Sequence, residues 1–447
     1  MNHITEDKTF QSILEQLAQD TNQSIEAVQK EANTYLKELY TEQKPLPQLI
    51  GSQVAQYVLS RGYDRTIDVS PTELKKLTKL MRKHPIAFVM THKTYIDMLV
   101  LAMVLLRHGM PLAHTFAGIN MDFLGLGQFG RQTGVIFIRR SFKDNLIYKA
   151  VLRYYIKHLI DRKEHFMWAL EGTRSRTGKL VWPKMGILKY IMEGEEDSLQ
   201  EVKYVPVSIV YDLIPDVKDM TLEGRGKNKA PESLGWFINY LRKLGDNFGK
   251  ISIRFGNPVD ISGELQAPIP GTEDKPKQEA HIIPRFAFEL VHRINKITPV
   301  TTTSLVCTTL LSKYSLAKKG IERDVADLMQ LIESHKPDAL VDRGTPIGES
   351  VQQALNLLSQ AGIIQQHGDT LHSKYNVIPE QYLQATYYAN MAVHPLYHRA
   401  FIELALGLTN RSQTDDRRLY FWSTIMELRD LFKFEFFYSS KPLFTEQ

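Results

Sequence analysis

The chain is nearly devoid of cysteine. Cys307 is the only one in 447 residues, so no disulfide can close within the chain and no thiolate cluster can build a zinc site. That economy fits a reducing, cytoplasmic compartment. Long hydrophobic runs are missing too: no stretch reaches about 18 uninterrupted apolar residues, which excludes a transmembrane helix. The opening Met1-Asn2-His3-Ile4-Thr5-Glu6-Asp7 is polar and acidic, unlike a secretory signal. Charge of one sign is scarce, because 55 basic against 50 acidic side chains leave a net +5. So mild a balance does not point to nucleic acid, although it is compatible with an anionic membrane surface. There is no internal repeat and no long low-complexity tract. Nor is there a His-Glu-x-x-His pattern, and no metal is expected. The final Leu443-Phe444-Thr445-Glu446-Gln447 is not a Ser-Lys-Leu peroxisomal address.

What the chain does have is alternation. Residues 1–80 read as helical: Ser24-Ile25-Glu26-Ala27-Val28 opens one amphipathic pattern, and Ser70-Pro71-Thr72-Glu73 joins a cap, a first-turn proline and an acidic third residue. Over 81–265 short apolar runs alternate with amphipathic stretches, the pattern of an α/β domain. Its last strand is Lys250-Ile251-Ser252-Ile253-Arg254-Phe255-Gly256, and the Pro/Gly-rich stretch 266–272 reads as a loop or linker. Residues 280–447 read as helical with one exception near 346–375, a helix followed by a hairpin turning at Gly368-Asp369. Helix plus wing predicts a winged-helix-like module. Its helix over 351–360 carries no Lys or Arg to neutralise phosphate, which argues against nucleic acid as a partner.

Chemistry gathers where the apolar runs end. Pro85-Ile86-Ala87-Phe88-Val89-Met90 reads as a buried parallel strand, followed by Thr91-His92-Lys93-Thr94-Tyr95-Ile96-Asp97 and an apolar helix to Leu106. Thr94 is the expected N-cap, with Asp97 three positions on. Placed on one helix, His92 and Asp97 would diverge by about 140°; a loop-to-helix junction removes that obstacle. Asp97 can then orient the imidazole of His92 as a general base. The plainer reading is that Asp97 caps its helix and His92 satisfies a loop carbonyl.

A second cluster follows the run His165-Phe166-Met167-Trp168. It comprises Glu171, Gly172, Thr173, Arg174, Ser175, Arg176 and Lys179, a phosphate cradle by composition or, equally, a solvated basic turn. A third run, Gly134-Val135-Ile136-Phe137-Ile138, ends in Arg139-Arg140. Adjacent strand residues face opposite ways, so only one of the two can enter a shared site, and Arg139 is the choice. The fourth, Tyr204-Val205-Pro206-Val207-Ser208-Ile209-Val210-Tyr211-Asp212, reads mainly as a core strand.

These four blocks, in this order between residues 92 and 210, resemble the four motifs of the glycerolipid acyltransferases. They are most similar to glycerol-3-phosphate and dihydroxyacetone-phosphate acyltransferases. Met121-Asp122-Phe123-Leu124-Gly125, Pro183-Lys184-Met185-Gly186-Ile187-Leu188 and Tyr387-Tyr388-Ala389-Asn390 resemble flanking parts of the family. The resemblance implies a mixed, mostly parallel sheet flanked by helices, with helical N- and C-terminal regions. It implies acyl transfer from acyl-CoA or acyl carrier protein to the sn-1 hydroxyl of glycerol-3-phosphate, the first step of phospholipid synthesis. His92 would be the base and Asp97 its partner, with Arg139, Glu171, Gly172, Thr173, Arg174, Ser175 and Lys184 on the acceptor and its phosphate. Glu171 would orient an acceptor hydroxyl or hold Arg174. No cofactor is implied beyond the acyl donor as co-substrate, and no acyl-enzyme. The expected setting is peripheral, on the cytoplasmic side of a membrane, with Ile119–Phe129 a candidate lipid contact. The competing readings are a dihydroxyacetone-phosphate or lysophosphatidate acyltransferase and, from a different class, a catalytically silent membrane- or nucleic-acid-binding regulatory homologue.

Overall fold

The computed structural model describes residues 1–447 apart from 120–125, 140, 143, 229–239, 241, 243, 262–274, 369–372, 440 and 447. Most of the proposed lipid contact, the linker at 266–272, Arg140 and the tip of the hairpin beyond Gly368 fall outside the described residues.

Seven strands form the central sheet: β1 (Ile67–Val69), β2 (Ile86–Met90), β3 (His114–Gly118), β4 (Val135–Ile138), β5 (Phe166–Ala169), β6 (Lys203–Tyr211) and β7 (Ile251–Phe255), in the order β1-β7-β6-β2-β5-β3-β4. Every neighbouring pair is parallel except β6 and β7. The sheet is therefore mixed and mostly parallel, as the resemblance implies. Strand β2 is buried at all five positions, which is why its sequence is continuously apolar rather than alternating. Its side chains still divide by period: Ile86, Phe88 and Met90 enter one core, Ala87 and Val89 the other.

The helices supply the covers. In the first part of the chain these are α1 (Lys8–Thr21), α2 (Ile25–Leu39), α3 (Pro45–Gly62), α4 (Pro71–Met81), α5 (Asp97–Arg107), α6 (Leu126–Thr133), α7 (Leu146–Asp161), α8 (Gly186–Glu196), α9 (Val217–Gly224) and α10 (Lys275–Ile297). Helices α1, α2, α7, α8 and α10 bury side chains on the face of Val89, whereas α3, α4 and α5 cover the face of Phe88. The mainly helical stretch to residue 80 also contains a strand, β1, which is too short for a periodic signal. Its helices close both cores of the α/β sheet.

The C-terminal region continues with α11 (Thr302–Ser312), β8 (Leu316–Ala317), α12 (Lys318–His335), α13 (Ile347–Gln360), β9 (Ile364–His367), β10 (Lys374–Val377), α14 (Tyr382–Met391), α15 (Tyr397–Arg411), α16 (Arg417–Phe436) and α17 (Lys441–Glu446). Helix α13 and the hairpin β9–β10 stand where the sequence put helix and wing. The two-residue strand β8, unseen in the sequence, completes a three-stranded sheet in the order β8-β10-β9. From Val300 to Ala392 this region shares one hydrophobic core with Phe88 and Ile253 of the sheet, while α15, α16 and α17 enclose a separate aromatic cluster around Tyr397, Phe401 and Tyr438.

Candidate active site

Parallel strands end on the same edge of a sheet, so the turns after β2 and β5 meet there. The chain leaves β2 through Thr91 and His92, turns over residues 93–96, and enters α5 at Asp97. The helix begins later than its sequence signals indicate. Thr94 does not cap it; the Thr94 hydroxyl instead donates to Asp216 at 3.0 Å and lies 2.8 Å from the Tyr240 hydroxyl. No side chain caps the helix; Asp97 reaches back over the turn, its Oδ2 accepting the amides of Lys93 and Thr94 at 2.7 and 3.0 Å.

The same oxygen stands 3.1 Å from His92 Nδ1. Asp97 Oδ1 accepts from the Tyr211 hydroxyl, at the end of β6, at 2.6 Å. Asp97 is fully buried while the His92 side chain is 22% exposed. A carboxylate fixed by three donors thus holds Nδ1 of a ring that keeps part of its surface in solvent. Asp97 thus braces the turn before α5 rather than capping the helix, and the same carboxylate meets the imidazole.

The turn after β5 is locked to this one. The Ser175 amide donates to the His92 carbonyl at 2.8 Å. The His92 amide in turn donates to Glu171 Oε1 at 2.8 Å, and the Val181 amide to Oε2 at 3.2 Å. Glu171 therefore positions the backbone of His92 and does not hold Arg174. Burial pushes its carboxyl up to about 7, against the pull of the Lys93 ammonium. Lys93 is itself buried, and desolvation lowers its amine from the usual range. Its Nζ donates to the Gly178 carbonyl at 2.5 Å.

Gly172 sits at φ +66°, and a Cβ there would stand 2.8 Å from Lys184 Cγ. The lysine stem therefore lies across the glycine. Thr173 and Lys184 are exposed beside it, and Lys184 forms no ion pair among the described residues. Ser175 is buried, its hydroxyl donating to the Lys179 carbonyl at 2.6 Å and accepting the Gly178 amide at 3.1 Å, so it shapes its own turn. Arg174 is buried against the Tyr95 ring, 4.0 Å from its centroid, and is ion-paired with Asp216 and, at 3.6 Å, with Glu223.

Arg139 stands apart from this assembly. It follows β4, three strand spacings or about 14 Å across the sheet from β2. A bidentate pair with Glu38 at 2.9 and 2.6 Å engages its guanidinium, between Tyr35 and Tyr148. The structure brings together His92, Asp97, Glu171, Gly172, Thr173, Arg174, Ser175 and Lys184, but not Arg139. Sequence reasoning missed Lys93, Tyr211 and Asp216. Tyr211-Asp212 closing an apolar strand was the available signal for the second of these. Asp216, beyond that strand, announced nothing.

A cavity of about 320 Å³ lies elsewhere, between the β6–β7 ends and helices α11 and α13, lined by Asp64, Asp212, Lys250 and Asp342. Its acidic balance is unsuited to phosphate. Among the described residues no group of three or more His, Cys, Asp and Glu could hold a metal ion. Cys307 is buried in α11, and burial alone pushes its thiol up, so it is no nucleophile.

The fold thus sets a His–Asp pair at a strand end of a mostly parallel sheet, beside a glycine turn rich in cations and hydroxyls. Residues 71–210 match the acyltransferase family model, and residues 220–447 match that of the glycerol-3-phosphate acyltransferase C-terminal region. The chain is 31% identical over 453 residues to the protein plsB1 of Mycobacterium tuberculosis strain H37Rv, named as an acyltransferase, covering all of this chain and 71% of the relative. It is 28% identical over 373 residues to the glycerol-3-phosphate acyltransferase of Haemophilus influenzae strain PittEE, covering 81% of this chain and 45% of that one. The chain belongs to the glycerol-3-phosphate acyltransferase family. Among solved structures it matches the 1-acyl-sn-glycerophosphate acyltransferase PlsC of Thermotoga maritima at a TM-score of 0.30 and 16% identity, over 55% of this chain and 78% of that one.

Proposed function

We propose that the protein transfers a fatty acyl group from an acyl thioester, carried on coenzyme A or acyl carrier protein, to the sn-1 hydroxyl of glycerol-3-phosphate. The observation that carries this reading is the Nδ1–Oδ2 contact of 3.1 Å, with Asp97 anchored from behind by Tyr211. Nε2 of His92 takes the proton of the acceptor hydroxyl as its oxygen attacks the thioester carbonyl. Collapse of the tetrahedral adduct breaks the C–S bond, and the imidazolium returns the proton to the leaving thiolate. Asp97 stabilises the imidazolium while it exists. No covalent enzyme intermediate is needed.

On the exposed turn at Gly172, Thr173 and Lys184 present a hydroxyl and an ammonium, and they supply the first hold on the acceptor phosphate. Arg174 joins them by exchanging Asp216 for phosphate, a step that costs an existing ion pair. Glu171 and Ser175 act behind the surface, fixing the turn. The long-chain product places the enzyme peripherally at a membrane, on its cytoplasmic side. Among the described residues no helix is long and apolar enough to cross one.

The test is release of free thiol from palmitoyl-coenzyme A by the purified protein, with and without glycerol-3-phosphate, alongside His92→Ala. Acceptor-dependent release that is abolished in a folded variant is the expected result. Equal turnover by His92→Ala would remove the general base from the mechanism. Release only with dihydroxyacetone phosphate or lysophosphatidate would keep the chemistry and change the acceptor.

A further inference from the structure

Helix α3 is apolar on two opposite faces. Ala55, Val58, Leu59 and Gly62 are buried on the side that packs against α5. At about 100° per residue, Leu46, Leu49, Ile50, Val54 and Tyr57 fall within a single outward arc. They are 66, 58, 47, 54 and 63% exposed. Five large apolar side chains in register on one surface helix are not the scattered exposure that any soluble protein shows.

We infer that this arc of α3 is the surface on which the protein rests on a lipid bilayer, its residues entering the boundary between headgroups and acyl chains. The inference rests on the acyltransferase reading for the need of such a surface, and on α3 itself for the place. The charges around the arc decide between a bilayer and a second copy of the chain. From Pro45 to Gly62 there is no Asp or Glu. Arg61 closes the arc, its guanidinium 5.9 Å from the centre of the Tyr57 ring, and exposed Asp64 and Arg65 follow. Exposed Arg107 adds a third cation there, with its Nη1 donating to the Arg65 carbonyl at 3.2 Å. Lys44, which Glu42 meets at 3.8 Å, marks the other end. Apolar residues bordered by cations fit anionic headgroups over acyl chains.

The other exposed apolar surface, with Leu404, Leu408, Leu419, Leu431 and Phe434, has Glu403, Glu427, Asp430 and Glu435 among those residues. Arg399, Arg417, Arg418 and Lys433 lie there too, so its charges are of both signs, whereas α3 carries no acidic side chain. Helix α3 also packs directly on α5, whose first residue is Asp97, so the surface and the catalytic pair share one intervening element.

The full-length protein is to be floated with vesicles of phosphatidylcholine containing phosphatidylglycerol, as wild type, as Ile50→Glu/Tyr57→Glu, and as Leu404→Glu/Leu408→Glu. Turnover of each is read separately in solution with a short-chain, water-soluble acyl-coenzyme A. The expected outcome is that the α3 variant partitions about ten-fold or more weakly than wild type, the α15 variant does not, and soluble turnover is alike in all three. Equal vesicle binding by wild type and the α3 variant would overturn the assignment of the surface while leaving membrane association intact. Absence of wild-type binding to any vesicle would overturn both, and soluble turnover would still report on the acyltransferase reading. A wild-type dimer in solution that the α3 variant dissociates, without vesicle binding, would assign the arc to a second copy and sink the lipid proposal.

Discussion

Tyr211 illustrates how much of the proposed catalytic pair lies outside its motif. Its hydroxyl is the sole donor to Asp97 Oδ1 among the described hydrogen bonds. Burial, with the Asp97 charge beside it, holds the phenol well above its usual range, so it remains a donor at any working pH. Tyr211→Phe keeps the ring and removes the donor, which leaves a buried carboxylate oxygen unpaired at a cost of about 1–3 kcal/mol. The expected outcome is a urea midpoint lowered accordingly. Turnover should fall about ten-fold while the acceptor KM holds, because orientation of His92 is lost rather than binding. A raised KM with unchanged kcat would contradict that role. His92 and Asp97 were legible because they are close in the chain and flanked by a strand and a helix. The partners of Arg139 and Asp97 were not, since Glu38 and Tyr211 lie 101 and 114 residues away and no local pattern encodes a pairing at that distance.

At the scale of elements, the turn after β5 is held from the far side by α14. Gly178 has φ +85°, and a Cβ there would stand 2.0 Å from the Tyr387 carbonyl oxygen, a backbone atom with nowhere to go. The Asn390 side chain donates to the Thr177 carbonyl at 2.8 Å. Gly178→Ala is therefore expected to lose about 3 kcal/mol or more, through left-handed strain and a backbone clash together. Its melting temperature should fall several degrees and its turnover with it, whereas Gly186→Ala, where a Cβ meets nothing within 4 Å, serves as the control. Equal stability of the two variants would show that α14 yields easily. Strands β2, β4, β5 and β6 were readable because each is a run of buried apolar or β-branched residues bounded by polar turns. Strand β8 was not, for two residues carry no period. The outward arc of α3 escaped for the opposite reason, since a helix apolar on both sides gives no amphipathic contrast.

For the whole molecule, the sheet and the winged-helix-like module are one cooperative body. A continuous core links Phe88 and Ile253 with Leu305 and Val351. Asp212 lies at that seam, accepting the Lys250 amide at 2.8 Å and the Thr303 hydroxyl at 3.5 Å. Burial raises its carboxyl from 3.8 to about 7. The folded state thus keeps a proton that the unfolded chain has already lost between those values, and stability drains away as pH rises through that window. Asp212→Asn has no such proton, so its stability relative to wild type should grow by a few kcal/mol from about pH 4 to 7. Urea midpoints at pH 5 and pH 8 measure it, and parallel wild-type and variant curves would show that the seam does not titrate. The braces on the catalytic turn have a consequence for biosynthesis. Asn390 and Glu435 reach back 213 and 256 residues to Thr177 and Lys179. On the ribosome, the His–Asp pair emerges long before the residues that set the neighbouring turn. A nascent fragment that stalls short of α14 therefore carries the proposed base His92 beside a turn that Asn390 has not yet braced.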